Sequence, residues 1–238
     1  LRQFSRSRSV LVVIGICLLP VIFALIAYFA NRDGTNRDIR QIVGSNIYVN
    51  FFAATLLPLA TLVLSTAAFG DEIEDKTLQY LTMKPIGRLQ IVLAKFIAIL
   101  IVTIPIAWAG LVITWVVGCW GRLRINDDLI WPMFVSAAVG ILGFGALFML
   151  VSLFIQRALL VGIFYVFVWE TALSRYLPGI RTVSIRHYTQ STFVRMVDDR
   201  LFRLDGVAAM STILITIAGI VIVSLGLATW RLRRLSLE

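Results

Sequence analysis

The side chains able to do chemistry in this 238-residue chain are few and concentrated. Asp71, Glu72, Glu74 and Asp75 crowd one polar stretch, residues 70–90, GDEIEDKTLQYLTMKPIGRLQ. Carboxylates are favoured in the first turn of a helix, where unpaired N–H groups carry partial positive charge, and Lys84 suits the opposite end. The spacing predicts a short helix that begins at these carboxylates and is stopped by Pro85. On it, Ile73, Thr77, Tyr80 and Leu81 fall at i, i+4, i+7 and i+8, an apolar and aromatic face that something must bury. Lipid surface would do so, although clustered carboxylates suit anionic headgroups poorly. The sharper expectation is a docking helix for a cytosolic partner protein.

Glu170 is the acidic residue set deep in an apolar run. A charged carboxylate at the centre of a membrane helix costs about 2.5–3.5 kcal/mol, which some partner must offset. A hydrogen-bonding or ion-pair role with Arg175 or a neighbouring span, a gate or fold role, and a proton or cation relay all stay open. His187 is the single His, so a His metal site or a Ser-His-Asp triad would rest on it alone, and it is assigned no catalytic part. Cys17 and Cys119 sit in or beside apolar runs and indicate neither a disulfide framework nor a metal cluster. The chain has no Gly-Lys pair, hence no G-x-x-x-x-G-K-[ST] phosphate loop to bind ATP. Any energy from ATP must come through another polypeptide.

The elements that hold these residues follow from composition. Hydrophobic residues make up 59% and charged ones 15%, against about 45–50% and about 25% in soluble domains. With mean hydropathy at +0.91, no aqueous fold has interior enough for these side chains, which excludes a soluble enzyme, a disordered tail and a disulfide-stapled module. Lys and Arg number 22 and Asp and Glu 13, a net +9 that belongs on loops facing anionic lipid, with no nucleic-acid partner expected. Spanning helices need about 20 mostly apolar residues. Six segments qualify within a single transmembrane domain, 1–238: 10–30, 47–69, 91–117, 132–155, 158–177 and 207–230. The first is too long and lacks the cleavage site of a signal peptide. A chain beginning at Leu1 is expected to have lost some sequence before it.

Six spans place both termini on one side. Lys and Arg counts are equal, 11 on each side, so the positive-inside rule gives no orientation; the three Lys outside the spans' far loops, Lys76, Lys84 and Lys95, favour cytoplasmic termini. Gln156 and Arg157 alone separate the fourth and fifth spans and force a tight hairpin. Ser136, Ala137, Ala138, Gly140, Gly143, Gly145 and Ala146 line the fourth span with small residues, suited to close helix packing within the chain or to a subunit interface. Val194, Val197, Leu201 and Leu204 recur at helical spacing, predicting an amphipathic helix on the outer leaflet.

The residues then reach a family. Glu72, Thr77-Leu78, Tyr80-Leu81, Pro85-Ile86, Arg88 and Lys95 resemble the E-x-x-x-x-T-L-x-Y-L-x-x-x-P-I-x-R…K pattern that links the second and third spans of type-2 ABC transporter permeases. The stretch from Tyr165 to Tyr188, with Trp169-Glu170, Pro178-Gly179 and Ser184-Ile185-Arg186-His187-Tyr188, is similar to a W-E…L-P-G…S-I-R-H-Y signature of the NosY-like branch. Lys76 and Ala94 depart from glycines common at those places. The resemblance implies an all-α integral membrane protein with six spanning helices, a short cytoplasmic coupling helix and an extracytoplasmic amphipathic segment. It also implies that Glu72, Ile73, Thr77, Leu78, Tyr80, Leu81, Pro85 and Arg88 couple the chain to an ABC ATPase present in two copies. ATP and Mg would be bound on that ATPase, with no cofactor on this chain. A second permease copy, a homodimer, the plasma membrane of a prokaryote, cytoplasmic termini and an exporter's role complete the implied picture. Pro178, Gly179, Arg186, His187 and Tyr188 would form an outer element, with Glu170 an intramembrane gate residue. The alternative from another class is an ATP-independent channel, secondary carrier or assembly scaffold.

Overall fold

Small residues decide where helices meet, and the helix richest in them is the hub. The computed structural model describes residues 8–31, 34–74, 87–155, 157–173, 184–199, 201–202, 204 and 206–235. In chain order the helices are α1 (Arg8–Ala30), α2 (Asn36–Arg40), a wide-turn segment with i→i+5 bonding (Gln41–Leu56) that runs on into α3 (Leu57–Glu74), α4 (Arg88–Gly118), α5 (Ile130–Phe154), α6 (Ala158–Phe164) with a second wide-turn segment (Tyr165–Leu173), α7 (Ile185–Val197) and α8 (Met210–Leu235). Thr35 starts α2 with a capping box, its hydroxyl accepting from Asp38 N at 3.3 Å while Asp38 accepts from Thr35 N at 2.9 Å.

Helix α5 packs against α3, α4, α7 and α8. Its Gly140 faces Leu57 and Thr189, Gly143 faces Ile185 and Ile217, and Gly145 faces Thr61, Phe96 and Ile99. The small-residue stripe is thus used for packing within the chain. Around this hub, 72% of the most apolar window of Asn36–Ala68 is buried, against 17% for Met210–Arg234. The outer helices instead expose Leu11, Phe29, Ile215 and Ile222, a surface that only hydrocarbon could cover without penalty.

Among the described residues five helices are long and apolar enough to cross a membrane: Ser9–Ala30, Asn36–Ala68, Arg88–Gly118, Asp127–Phe154 and Met210–Arg234. They match five of the six expected spans, and the chain is a multi-pass membrane protein. One end of the bundle is tied by Arg40 with Asp128, by Arg122 Nη1 donating to Gly34 O at 2.7 Å and by Asn126 Nδ2 donating to Asn36 Oδ1 at 2.9 Å. The opposite end holds Lys95 Nζ donating to Ala68 O, and Arg231 over the Phe154 ring at 5.3 Å. The start of α1 and the end of α8 lie at this second end, which agrees with termini on one side.

Three expectations change. The acidic run does not begin a new helix: α3 continues through Gly70 to Glu74, so Asp71, Glu72 and Glu74 sit at its C-terminal turn, because nothing between Phe69 and Asp71 breaks the chain's helical course. The expected span 158–177 is divided. Gly162 packs on Leu62 and Tyr165 on Phe148, so Ala158–Leu173 climbs from the second end to the middle of α5. Helix α7 then starts at mid-bundle: Ile185 meets Gly143, roughly 20 Å along α5 at about 1.5 Å per residue, and Asp199, just beyond its end, reaches Arg40 at the first end.

The third change concerns the amphipathic segment. A single helix does not carry Val194, Val197, Leu201 and Leu204, because α7 stops at Asp198, whose φ of 48° lies in the left-handed region. All four side chains are half-buried against the main core. Thr189, Gln190, Ser191 and Thr192 are buried too, and each finds a partner: Thr189 and Thr192 donate to Ile185 O and Tyr188 O, Gln190 Nε2 donates to Val49 O at 2.9 Å, and Ser191 Oγ accepts from Ala208 N. A polar helix sits inside the bundle where a surface helix was expected.

The backbones of α1 and α4 come close at Gly110. A Cβ on Gly110 would stand 2.5 Å from the carbonyl oxygen of Cys17 and 3.1 Å from its carbon, atoms that no rotamer change can move. Gly110→Ala should therefore lose about 1–3 kcal/mol of stability, seen as a lower unfolding midpoint in detergent. Gly219→Ala, where a Cβ meets nothing within 4 Å, should leave the midpoint unchanged or raise it.

Candidate functional site

Helix α7 begins inside the bundle, so its first N–H groups have no water to bond. The sequence answers with two side chains. Ser184, the N-cap residue, accepts from His187 N through Oγ at 3.2 Å. Glu170, carried on the wide-turn segment Tyr165–Leu173, accepts from Ile185 N through Oε1 at 3.1 Å and from Arg186 N through Oε2 at 3.4 Å. The same carboxylate accepts from Tyr165 OH at 2.8 Å and from Ser184 Oγ. Arg186 Nη1 closes the cluster by donating to Glu170 O at 3.3 Å. The Glu170 side chain is fully buried.

Each element contributes for a reason. In an α-helix residues five apart diverge around the axis, whereas i→i+5 turns bring Tyr165 and Glu170 onto nearly one face. The positive end of α7 adds a favourable field for the carboxylate. Of the roles open to Glu170 from sequence, the geometry supplies hydrogen bonding to a neighbouring segment, and its acceptors are engaged by two backbone N–H groups and two hydroxyls. His187 and Tyr188 follow on the first turn, half-buried and buried respectively, their rings meeting edge-on at 5.8 Å. Arg186 likewise lies on this turn. Pro178 and Gly179 lie outside the described residues.

Deeper along α7, Phe193 packs on Tyr48 with ring centroids 4.7 Å apart, and Tyr48 OH donates to Met133 O at 3.0 Å and bonds with Ser136 Oγ. At the first end Arg40, largely buried, bonds Asp128 through both terminal nitrogens at 2.8 and 2.7 Å and Asp199 at 3.2 Å. The half-helix is therefore held by a carboxylate at its inner start and by a guanidinium just past its outer finish. Cys119 lies beside this end, and burial pushes its thiol up to about 12, leaving almost no thiolate at neutral pH.

The docking residues stand differently. Glu72 and Ile73 belong to the last turn of α3 by backbone, and Thr77, Leu78, Tyr80, Leu81 and Pro85 lie outside the described residues. Arg88 opens α4 after Gly87. Lys95 on α4 bonds Ala68 on α3, so both flanks of residues 75–86 are held at the second end. Tyr165 and Arg40 are given no role by the sequence, and Ser184 enters there only as the first residue of the S-I-R-H-Y stretch. Ser184 carried a usable signal, a Ser directly before a helical run, but the polar residues after it concealed that the run is buried.

A family model described as ABC-2 family transporter protein matches residues 3–172. No curated protein matches the chain.

Removing Glu170 tests the cluster. Glu170→Ala strands two buried N–H groups and two hydroxyls and should cost on the order of 3 kcal/mol or more, read as a fall in the unfolding midpoint in detergent. Glu170→Gln, which keeps the size and one acceptor oxygen, should lose less than half as much.

Proposed function

The chain belongs to the ABC-2 family of transporter proteins, and from that premise we propose that it is the permease of an ATP-driven exporter, acting as a homodimer with two copies of a separate ABC ATPase. The observation that carries the reading is the family match over 3–172, a stretch that holds four of the five long apolar helices. Helix order supports six passes if Ala158–Leu173 and α7 together make the fifth crossing. The likeness of the stretch from Trp169-Glu170 to Tyr188 to the W-E…L-P-G…S-I-R-H-Y signature supports membership of the NosY-like branch. The membrane is the plasma membrane of a prokaryote, with both termini cytoplasmic.

Coupling falls to residues 70–90. Their flanks emerge at the end of the bundle shared by the start of α1 and the end of α8, and this end faces the cytoplasm in the proposed orientation. There the apolar face of Ile73, Thr77, Tyr80 and Leu81, with Glu72, Leu78, Pro85 and Arg88 around it, docks on the ATPase. ATP and Mg are held on that partner. Closure of the two ATPases presses on this loop, and α3 and α4, joined at Ala68 and Lys95, carry the motion into the bundle.

Two measurements test this. Purification from native membranes should bring down a Walker-motif ATPase in stoichiometric amount; its repeated absence would favour an ATP-independent carrier or scaffold. A cysteine placed at Gln79 should react with a membrane-impermeant maleimide only from the cytoplasmic side of sealed vesicles.

Docking itself makes a further prediction. Glu72→Arg and Tyr80→Ala should leave expression and dimer size normal yet weaken ATPase association at least about tenfold together, because a charge is reversed and an aromatic anchor removed. A double variant with unaltered association would leave the loop a plain connection.

A further inference from the structure

The fifth crossing is made of two pieces that meet through side-chain chemistry at the middle of the bundle. Ala158–Leu173 rises from the end where Lys95 meets Ala68, and it follows α5 after a turn of only a few residues. Helix α7 runs on along the same α5 to the opposite end, where Asp199, just past it, is tied to Arg40 and, through Arg40, to Asp128. Between them the Glu170 carboxylate grips Ile185 N, Arg186 N and Ser184 Oγ, while Arg186 grips the Glu170 carbonyl in return. The contact is reciprocal and buried, so a displacement of either piece must move the other or break several charge-assisted bonds at once.

We propose that Glu170 is a positioning residue for transport, the joint that carries movement of the inner piece Ala158–Leu173 to the outer piece α7 and so makes the outer end of the bundle follow events at the ATPase end. The proposal rests on the permease reading above. It assigns Glu170 no contact with cargo and no proton transfer. Residues of α7 itself fit the same purpose. The polar side chains Thr189, Gln190, Ser191 and Thr192 are satisfied mostly within α7 or by single bonds to neighbours, so α7 can shift as a unit at the loss of few bonds other than those at its two ends. Gly140 and Gly143 leave room on α5 for Thr189 and Ile185 of α7.

The test uses the complete permease–ATPase complex in lipid nanodiscs, with a reporter cysteine at half-buried Met196, near the outer finish of α7. The native thiols are buried and do not compete. In the parent complex, ATP should change the maleimide labelling rate of Met196→Cys severalfold. Glu170→Gln retains the side chain's size but puts an amide N–H₂ where one backbone N–H and one hydroxyl need an acceptor. It should keep ATPase association and hydrolysis near parent values while abolishing the ATP-dependent change in labelling. Glu170→Asp, with the charge restored one methylene shorter, should recover part of that change. A merely structural Glu170 would instead lower association, hydrolysis and labelling response in proportion, with no selective rescue by Asp, and that result overturns the proposal. So does a parent complex that hydrolyses ATP with Met196→Cys labelling unaltered, or a Glu170→Gln complex whose labelling still responds as the parent's does. A parent preparation with no hydrolysing partner overturns the permease reading itself, and this inference with it.

Discussion

In hydrocarbon there is no water to bond a spare backbone N–H, and a helix that starts halfway through a bundle brings several such groups with it. The rest of this architecture is arranged around that requirement. It explains why a carboxylate, costly in any apolar run, stands at position 170, and why a serine precedes Ile185. It also accounts for the wide turns over Tyr165–Leu173, which aim Tyr165 and Glu170 together at the same point. A fully paired cluster of this kind stabilises one arrangement of chain strongly, since losing any member leaves the others buried and unbonded.

The hub helix α5 works by a different economy. Where its residues are small, neighbouring helices come close enough for dispersion to hold them, since lipid offers no hydrophobic drive between apolar helices. Gly140 and Gly143 admit α7, and Gly145 admits α3 and α4. The charged ties are placed at the ends: Arg40 with Asp128 and Asp199 at one, Lys95 with the Ala68 carbonyl at the other. A bundle held by close packing along its length and by polar bonds at its ends and at one central joint concentrates its directional contacts at those few places.

Much of this was legible from residues alone. Hydropathy found the five long helices with ends off by a few residues, except where the second begins, at Asn36 instead of Ile47, because Gly44, Ser45, Asn46 and Asn50 lower the local average although they lie within one continuous helix. The acidic run was misread because carboxylates favour helix starts, and no local signal told that α3 had not yet ended. The outer segment was the largest error. Periodicity of Val194, Val197, Leu201 and Leu204 suggested a surface helix, but periodicity reports which side chains share a face, not whether the opposite face meets water or a glycine-lined neighbour. The sequence shows that Glu170 needs a partner, and its partners are the backbone and one hydroxyl of a segment fourteen and more residues away, with the Tyr165 hydroxyl beside it, an arrangement no spacing rule could supply.

The buried polarity of α7 bears on how the protein is made. A segment carrying Arg186, His187, Thr189, Gln190, Ser191, Thr192 and Arg195 within thirteen residues is too hydrophilic to leave the translocon sideways into lipid by itself. Its place in the membrane exists only once α5, the wide turns before α3 and the Glu170 segment have formed a lined slot for it. Biogenesis must therefore proceed in two stages, with the greasy helices partitioning first and α7 folding into them afterwards, so that a chain delayed between the stages holds an unfilled polar seam open to the quality-control proteases of the membrane.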